Sequence, residues 1–380
     1  MKDTKVWYGA TDIGVPHFSS DIFWKTGFKA PDPFFVIEIR GRAYMLMSPL
    51  EIGRAKKEAR ADRILLIDSF LKQGEASVQG LTRFLKAYKI REITVPHGFA
   101  QGIARVLGKA FIVHDSGHSL CPERARKSPR EVSEITGAQR ATEDAMAAAV
   151  AFMRSCVIRG SLVYDGAHAV TSEILRQIID DALWARGYLA TGTIVACGSD
   201  ASDPHYMGSG PVRAREPIVI DIFPMSLRTH YYADMTCTIF KGTPSDNLQK
   251  MYEAVRGAQE DAIKKIRPGE DGAAIHAGAR EYLASHGYPT RIGKDSAEGF
   301  IHGLGHGVGI DIHEAPNLGT RGGVLEQGNI VTVEPGLYYK KARGNIPSVG
   351  IRIEDMVLVT KTGSQNLTRS PKDLVDVIIR

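Results

Sequence analysis

Four carboxylates lie in or at the end of short apolar runs that predict β-strands, a pattern that ordinary core packing does not require. Asp221 and Asp234 differ in position by 13 (234 − 221), which leaves room for a hairpin that places both on neighbouring strands. Thr236, two residues beyond Asp234, points to the same face and can donate a hydrogen bond to a carboxylate there. The runs are PIVID with Asp221, YYADMTCT with Asp234, NIVTVEP with Glu334 and VGIRIED with Glu354.

These acids need compensating positive charge if the fold gathers them, because neighbouring carboxylates repel and raise one another's pKa values. An imidazole, His306, lies in the glycine-rich stretch HGLGHGVGIDIHEAP. Carboxylate oxygens with one imidazole suit Mn²⁺, Co²⁺, Zn²⁺ or Fe²⁺, and bridging carboxylates hold paired metals roughly 3.5–4 Å apart. The pattern therefore predicts two divalent metal ions and a shared water that becomes a hydroxide near neutral pH. The predicted ligands are Asp221, Asp234, His306, Glu334 and Glu354.

Each residue also has a purely structural interpretation. The two aspartates could end strands or turns, Glu334 could begin a turn at Pro335-Gly336, and Glu354 could be a surface residue paired with Arg352. The histidines at 302 and 306 could form a pair on a helix face, but the glycines around them resist helix. All five would need such an explanation at once, which favours the metal site.

Residues 1–126 alternate strand-like and helix-like segments, which predicts a small α/β domain. Phe34 to Ile39 and Ala43 to Met47 predict a hairpin, and Glu92 to Val95 and Ala110 to Val113 predict two further strands. The histidines of this part, at 97, 114 and 118, are interpreted as structural or exposed to solvent.

A capping box marks the start of the second domain, residues 127–380. Ser128-Pro129-Arg130-Glu131 combines an N-cap serine, a proline at the first helical position and a glutamate at the third. Apolar residues then recur at helical spacing, so a long helix is predicted from there to about Ile158. The expected fold class is α/β (α+β).

A faint duplication runs through this second part. One segment goes from Asp165-Gly166-Ala167 to Gly187-Tyr188, and another from Asp271-Gly272-Ala273 to Gly287-Tyr288. A longer helical pattern precedes each segment and strands follow it, although coincidence could produce this much similarity. If the repeat is real, it predicts two helix–helix–sheet halves across a pseudo-twofold axis, with a site where the sheets meet.

Composition excludes several classes of protein. The 48 basic and 43 acidic residues leave a net charge of +5 that is spread along the chain, so nucleic-acid and membrane-surface binding are not expected. No apolar run reaches the length of a membrane span, and the N-terminus lacks a signal core. The four cysteines lie far apart, which indicates free thiols in a reducing compartment. A soluble cytoplasmic protein is predicted.

Taken together, the motifs resemble the pita-bread metallopeptidase family, which includes methionine aminopeptidase, prolidase and aminopeptidase P. The resemblance covers about residues 125–365, and the N-terminal segment is similar to the extra domain of prolidase, aminopeptidase P and creatinase. The matching motifs are IVIDIF, YYADMTCT, HGLGHGVGIDIHEAP, TVEPGLY and GIRIED.

The resemblance implies a role for individual residues. The family's five metal ligands fall on the five residues named above, and Glu334 would also carry a proton from water to the leaving amine. His205, His302 and His313 match histidines that steady the scissile carbonyl and the oxyanion. Arg352 would orient a ligand. The glycines around His306 are expected to let the backbone pass close to metal and peptide.

The implied activity is hydrolysis of the Xaa-Pro bond of dipeptides, as in prolidase, or of longer peptides, as in aminopeptidase P, with a homodimer expected. The alternatives are a metal-dependent lyase or creatinase-like hydrolase on the same scaffold, and a catalytically silent binding module. Two positions depart from the family pattern, Phe223 in place of a glycine and Cys237 in place of an arginine. These departures put in doubt the shape of the hairpin from Pro224 to His230, which could line the substrate entrance.

Overall fold

The computed structural model describes residues 4–380, which form two compact units. The first ends at Arg124 and the second comprises Ala125–Arg380.

The first unit is built on one six-stranded sheet with the strand order β4-β3-β2-β1-β5-β6. The β1–β2 and β2–β3 pairs are antiparallel, and the remaining pairs are parallel. Its strands are β1 Thr4–Gly9, β2 Phe34–Ile39, β3 Arg42–Met47, β4 Arg63–Leu66, β5 Glu92–Val95 and β6 Ile112–Asp115. Its α-helices are α1 Ser20–Thr26, α2 Ile52–Glu58, α3 Ser77–Ala87 and α4 Gln101–Leu107.

Both faces of this sheet are covered by apolar side chains. Successive residues of β2 point to opposite faces, so Phe35 and Ile37 join one buried cluster while Phe34 and Val36 join another. The predicted β2–β3 hairpin is confirmed. Its two turn residues, Arg40 and Gly41, have φ of 52° and 76°, as a type I′ turn requires.

The other predicted strands of the first unit are also present. Glu92 to Val95 is confirmed as β5. The strand predicted at 110–113 begins two residues later as β6, because Ala110 and Phe111 still donate to the carbonyl of Leu107 in the turn that ends α4.

The second unit begins with the predicted capping box. The Ser128 hydroxyl accepts from the Glu131 amide at 3.4 Å, and the Glu131 carboxylate accepts from the Ser128 amide at 2.8 Å. The helix extends over Pro129–Ser155 and ends slightly before the predicted Ile158, where β-branched residues enter a strand.

The helices of the second unit are α5 Pro129–Ser155, α6 Ser172–Trp184, α7 Asp246–Lys265, α8 Gly272–Ser285 and α9 Leu374–Val377. Its strands in the first half are β7 Val157–Arg159, β8 Leu162–Asp165, β9 His168–Ala169, β10 Tyr188–Leu189, β11 Ile194–Cys197, β12 Ile218–Ile222, β13 Met225–Ser226 and β14 Met235–Lys241. The strands that follow are β15 Arg291–Ile292, β16 Ala297–Glu298, β17 Gly305–Gly307, β18 Glu314–Leu318, β19 Ile330–Val333, β20 Gly336–Tyr338, β21 Gly350–Arg352, β22 Asp355–Val359, β23 Ser364–Asn366 and β24 Ile378–Ile379.

Two sheets dominate this unit, with the orders β11-β12-β14-β24 and β18-β17-β19-β22-β23. One large apolar cluster joins them to the helices, since residues of α5, α6, α7 and α8 and of both sheets belong to it. Each half therefore has the predicted order of a long helix, a shorter helix and a sheet.

The repeat is present, and its predicted end is confirmed, but its predicted start is wrong. The shorter helices are capped by Thr171 and Asp271, 100 residues apart (271 − 171), and Gly187 and Gly287 follow at the same separation (287 − 187). Asp165 instead ends β8 before a turn at Gly166, whose φ is 55°. The match between the two Asp-Gly-Ala sequences was wrong, because one lies in a hairpin and the other caps a helix.

Among residues 4–380, we find no helix whose length and apolar character would allow it to cross a bilayer. The four cysteines are free, as predicted, and all four are buried.

Candidate metal centre

The sheet β11-β12-β14-β24 places three polar side chains on one face. Asp221 in β12 is directly opposite Thr236 in β14, and Asp234 lies one residue before β14 begins. Residues opposite one another across an antiparallel pair share a face, as do residues two apart along a strand. Asp221, Asp234 and Thr236 therefore lie together, as the sequence predicted.

The sheet β18-β17-β19-β22-β23 meets the sheet β11-β12-β14-β24 near Thr236. The Glu354 amide donates to the Thr236 carbonyl at 2.9 Å, and the Thr236 hydroxyl donates to Glu354 Oε2 at 2.8 Å. Two residues further along β14, the Thr238 hydroxyl donates to the Arg352 carbonyl at 2.7 Å. These bonds fix the Glu354 carboxylate against the face that carries the two aspartates.

His306 lies in β17, between β18 and β19. The glycines on either side of it are required by the neighbouring strands. A Cβ at Gly305 would lie 2.0 Å from the Thr332 carbonyl oxygen, and one at Gly307 would lie 2.4 Å from that of Ala315. The expectation that these glycines make room for metal and peptide is therefore wrong at these two positions, where the adjacent backbone occupies the space.

Three residues form a compact group of potential metal ligands. Ligand atoms of Asp234, His306 and Glu354 all lie within 4.8 Å of one another. His306 Nε2 is 3.6 Å from Asp234 Oδ2 and 3.3 Å from Glu334 Oε1. The group thus brings acids from both sheets to one imidazole, and Glu334 adjoins it.

The electrostatics of the group are those of uncompensated buried acids. Burial, followed by repulsion from Asp221, raises the pKa of Asp234 well above its usual value. Burial and repulsion from Asp234 likewise raise the pKa of Glu354. Burial by itself would raise the pKa of Glu334, but the hydrogen bond from His306 outweighs it and lowers this pKa to about 2. Burial by itself would lower the pKa of His306, but the same bond to Glu334 raises this pKa to about 9.

Asp221 has one bound and one unbound oxygen. Arg352 donates to Oδ2 at 2.6 Å, while the buried Oδ1 has no hydrogen-bond partner within residues 4–380. An unpaired carboxylate oxygen is costly to bury unless a cation binds it. Together with four other buried or half-buried donors of the types that divalent metals prefer, this oxygen shows that the residues fit the predicted metals.

Of the three predicted substrate-side histidines, His313 is in contact with the group. The ring of His313 lies 4.2 Å from that of His306, and the charges of His306 and His205 contribute, after burial, to lowering the pKa of His313. His205 follows a short 3-10 helix. The pKa of His302 is lowered by burial and, to a smaller extent, by the positive charges of Arg352 and His205. The ring of His302 bonds to the Gly303 carbonyl at 2.7 Å and to the Tyr338 hydroxyl at 2.9 Å.

The sequence analysis missed two residues of this network. Tyr338 accepts from Arg352 Nη1 at 2.9 Å, and Thr332 donates from its hydroxyl to Glu334 Oε1 at 3.2 Å. The spacing that identified Thr236 beside Asp234 could have found Thr332, which lies two residues before Glu334. Tyr338 lies within the motif TVEPGLY, but its partners come from distant positions that no local pattern reveals.

A cavity of about 300 Å³ lies beside His302. His276 is 4% exposed, and its Nδ1 has no hydrogen-bond partner in the described part of the chain. Two arginines line the cavity and place positive charge beside it. The residues that line it include His276, Arg280, His302 and Arg321.

The segment from Pro224 to His230, whose shape the sequence leaves in doubt, contains a short strand. Met225 and Ser226 form β13, which pairs with β10 and is buried. Phe223 packs near Gly192, where a Cβ would lie 3.5 Å from its ring. Cys237 is buried in β14, and burial raises the pKa of its thiol to about 12, so it behaves as an apolar residue of the core.

Comparison with known proteins agrees with this geometry. The sequence profile of metallopeptidase family M24 matches residues 133–361, which is more than half of the chain. The chain belongs to this family. An Xaa-Pro dipeptidase of Pyrococcus horikoshii is 36% identical over 189 residues, which covers 49% of this chain and 49% of that protein. The chain thus matches about half the length of this relative.

Two solved structures share the fold of this M24 protein. The Xaa-Pro dipeptidase from Bacillus anthracis has a TM-score of 0.79 at 23% identity, covering 98% of this chain and 94% of that one. The X-Pro aminopeptidase from Thermotoga maritima has a TM-score of 0.78 at 22% identity, covering 98% and 97%. The predicted fold class, an α/β protein with a pita-bread second part, is confirmed.

Proposed function

We propose that this protein is a dinuclear metal-dependent peptidase that hydrolyses the Xaa-Pro bond at the N-terminus of dipeptides or short peptides. The observation that carries the proposal is the group of Asp234, His306 and Glu354, with ligand atoms within 4.8 Å and Glu334 Oε1 3.3 Å from His306. Membership of family M24 and the name of the archaeal relative support a peptidase that acts at proline.

The proposed metal ligands are the five residues of the sequence analysis: Asp221, Asp234, His306, Glu334 and Glu354. Two divalent ions bound there would polarise the scissile carbonyl and lower the pKa of a water. Arg352 would hold Asp221 through its bond to Oδ2, and Thr236 would hold Glu354 through its hydroxyl. Manganese is our first candidate, with cobalt, zinc and iron as alternatives that the donor set also suits.

The chain's own groups would move the protons. Glu334 is held as a carboxylate, so its Oε1 can accept a proton from water and return it to the departing amine nitrogen. N–H groups of His205 and His313 would donate to the carbonyl oxygen as negative charge develops on it. For His302 a donor role stays a prediction, and its bonds to Gly303 and Tyr338 favour a positional role within the site.

The cavity beside His302 favours the dipeptide among the proposed substrates. Arg280 and Arg321 line it, and a planar guanidinium binds a carboxylate in two-pronged geometry. A dipeptide presents its free carboxylate one residue beyond the scissile bond, whereas a longer peptide presents an amide there. Comparing kcat/KM for Ala-Pro, Ala-Pro amide and Ala-Pro-Ala tests this preference, and Arg280→Gln should weaken only the first.

The proposal has further parts. Residues 1–126 would form a creatinase/prolidase-like domain, residues 127–380 would form the catalytic domain, and the protein would be a cytoplasmic homodimer that does not bind nucleic acid. Sedimentation and cell fractionation test the last points.

The central experiment is an activity assay after metal depletion. Protein reloaded with Mn²⁺ or Co²⁺ should hydrolyse Ala-Pro or Ala-Pro-Ala, and failure with all four candidate metals would overturn the proposal. Glu334→Ala should abolish hydrolysis with an unchanged circular dichroism spectrum, while Glu326→Ala, at an exposed acid near Arg126, should retain it. A panel of other substrates, assayed in parallel, would detect a lyase or a creatinase-like hydrolase.

A further inference from the structure

The two ring nitrogens of His302 are both engaged within the protein. Nδ1 lies 2.7 Å from the carbonyl oxygen of Gly303, and Nε2 lies 2.9 Å from the hydroxyl of Tyr338. A carbonyl oxygen can only accept, so the proton of a neutral His302 must be on Nδ1. Nε2 is then an acceptor, and it needs a donor.

The Tyr338 hydroxyl is available as that donor because of Arg352. Arg352 Nη1 donates to the Tyr338 oxygen at 2.9 Å, and a guanidinium cannot accept. The single hydroxyl proton is therefore free to point to His302 Nε2. On its other side Arg352 donates from Nη2 to Asp221 Oδ2 at 2.6 Å, which ties this chain of bonds to a proposed metal ligand.

The packing around Tyr338 maintains this arrangement. Tyr338 is 1% exposed, and a Cβ at Gly336 would lie 2.4 Å from its hydroxyl oxygen. The glycine of the motif TVEPGLY thus leaves the space that the hydroxyl occupies. Phe300 packs edge-on against the His302 ring at 5.2 Å between centroids, which further restricts rotation of the ring.

We propose that Tyr338 is a positioning residue that holds His302 as the Nδ1-protonated tautomer and leaves it no N–H group to donate to a substrate. His302 then forms a fixed part of the site between the group of ligands and the cavity, and the donors to the substrate carbonyl are the other two histidines. The catalytic part of this inference rests on the proposed function, whereas the tautomer does not.

Nitrogen NMR of the metal-free protein tests the tautomer without any activity. The protein would be labelled with ¹⁵N at its 12 histidines, and the two ring signals of His302 identified by their loss in His302→Gln. We expect a protonated Nδ1 and an unprotonated Nε2, with Tyr338→Phe shifting the Nε2 signal. Tyr339→Phe is the matched control, because the buried Tyr339 hydroxyl has no hydrogen-bond partner within the described residues. A protonated Nε2, or an Nε2 signal that does not respond to Tyr338→Phe, would overturn the proposal.

A double-mutant comparison tests the role in hydrolysis. Because Tyr338 acts through His302, the variant with both Tyr338→Phe and His302→Gln should lose no more kcat than the worse single variant. Removal of one oxyanion donor typically lowers kcat about 10²–10³-fold, and we expect that loss for His313→Gln and less than about tenfold for His302→Gln. Two results would contradict the inference. One is a double variant whose loss of kcat is the product of the two single losses, and the other is a loss of kcat for His302→Gln as large as that for His313→Gln. If no variant and no wild-type protein hydrolyses the peptides, the proposed function fails while the NMR result still decides the tautomer.

Discussion

Glu334 Oε1 lies 3.3 Å from His306 Nε2. The proposed proton carrier and the single imidazole among the proposed ligands are therefore hydrogen-bonded to one another in the metal-free protein. This bond raises the pKa of His306 to about 9 despite the opposing effect of burial. A metal can bind this imidazole only after the proton has left. Protons and metal ions therefore compete for the same atoms.

Metal binding should release protons at pH 7. The pKa values of Asp234 and Glu354 are raised by burial and by repulsion from neighbouring carboxylates, and the pKa of His306 is raised to about 9. The free site therefore holds protons that a bound metal displaces. Calorimetric titration of Mn²⁺ into the protein in buffers of different ionisation enthalpy would count them. Affinity should increase from pH 6 to pH 8, and an affinity that is independent of pH would contradict this account.

The metal-free protein should lose stability as the pH rises from 6.5 to 9. Within this window the folded state retains the His306 proton that the unfolded state gives up, so the folded state is favoured below pH 6.5 and the advantage is lost at pH 9. A rise in the pKa of His306 from 6.5 to about 9 corresponds to about 3 kcal/mol in the free energy of unfolding. The raised pKa values of Asp234 and Glu354 act in the same direction.

Thermal unfolding of the metal-free protein between pH 6 and pH 9 measures this effect. His306→Gln should flatten the dependence over 6.5 to 9, and saturating Mn²⁺ should reverse it. A melting temperature that rises with pH in the absence of metal would show that the bond to Glu334 does not hold the His306 proton.

Thr236→Val should weaken metal binding with little loss of folding. The Thr236 hydroxyl donates to Glu354 Oε2 at 2.8 Å, and loss of such a supporting bond typically lowers metal affinity about 10–100-fold. Thr142→Val is the matched control, since that buried hydroxyl donates only to the Ala138 carbonyl within α5. Equal metal affinities for the two variants would remove Thr236 from the support of the site.

Gly305→Ala should destabilise the second unit. Its Cβ would lie 2.0 Å from the Thr332 carbonyl oxygen, so β17 would have to move away from β19 at a cost of at least about 1–3 kcal/mol. His306, the next residue, would move with it, and metal affinity should fall as well. Gly363→Ala, where a Cβ would meet no atom within 4 Å, should leave both the melting temperature and the affinity unchanged.

Much of the fold could be predicted because the signals are local. The capping box at Ser128, the β2–β3 hairpin and the apolar runs that carry the acids each depend on neighbouring residues. The start of the repeat was predicted wrongly because an Asp-Gly-Ala sequence can cap a helix or turn a hairpin, and only the surrounding packing decides between them. Resemblance to a family supplied the role of each predicted site residue.

The sequence by itself determined which donors this protein has, since carboxylates that end buried strands need a cation wherever the fold places them. Tertiary structure alone decided how those donors are held. Thr236 bonds to Glu354 although the two are 118 residues apart, and Tyr338 connects His302, 36 residues before it, to Arg352, 14 residues after it. Hydrogen bonds of this kind depend on distances of a few tenths of an ångström between separate elements, and no spacing within a single element specifies them.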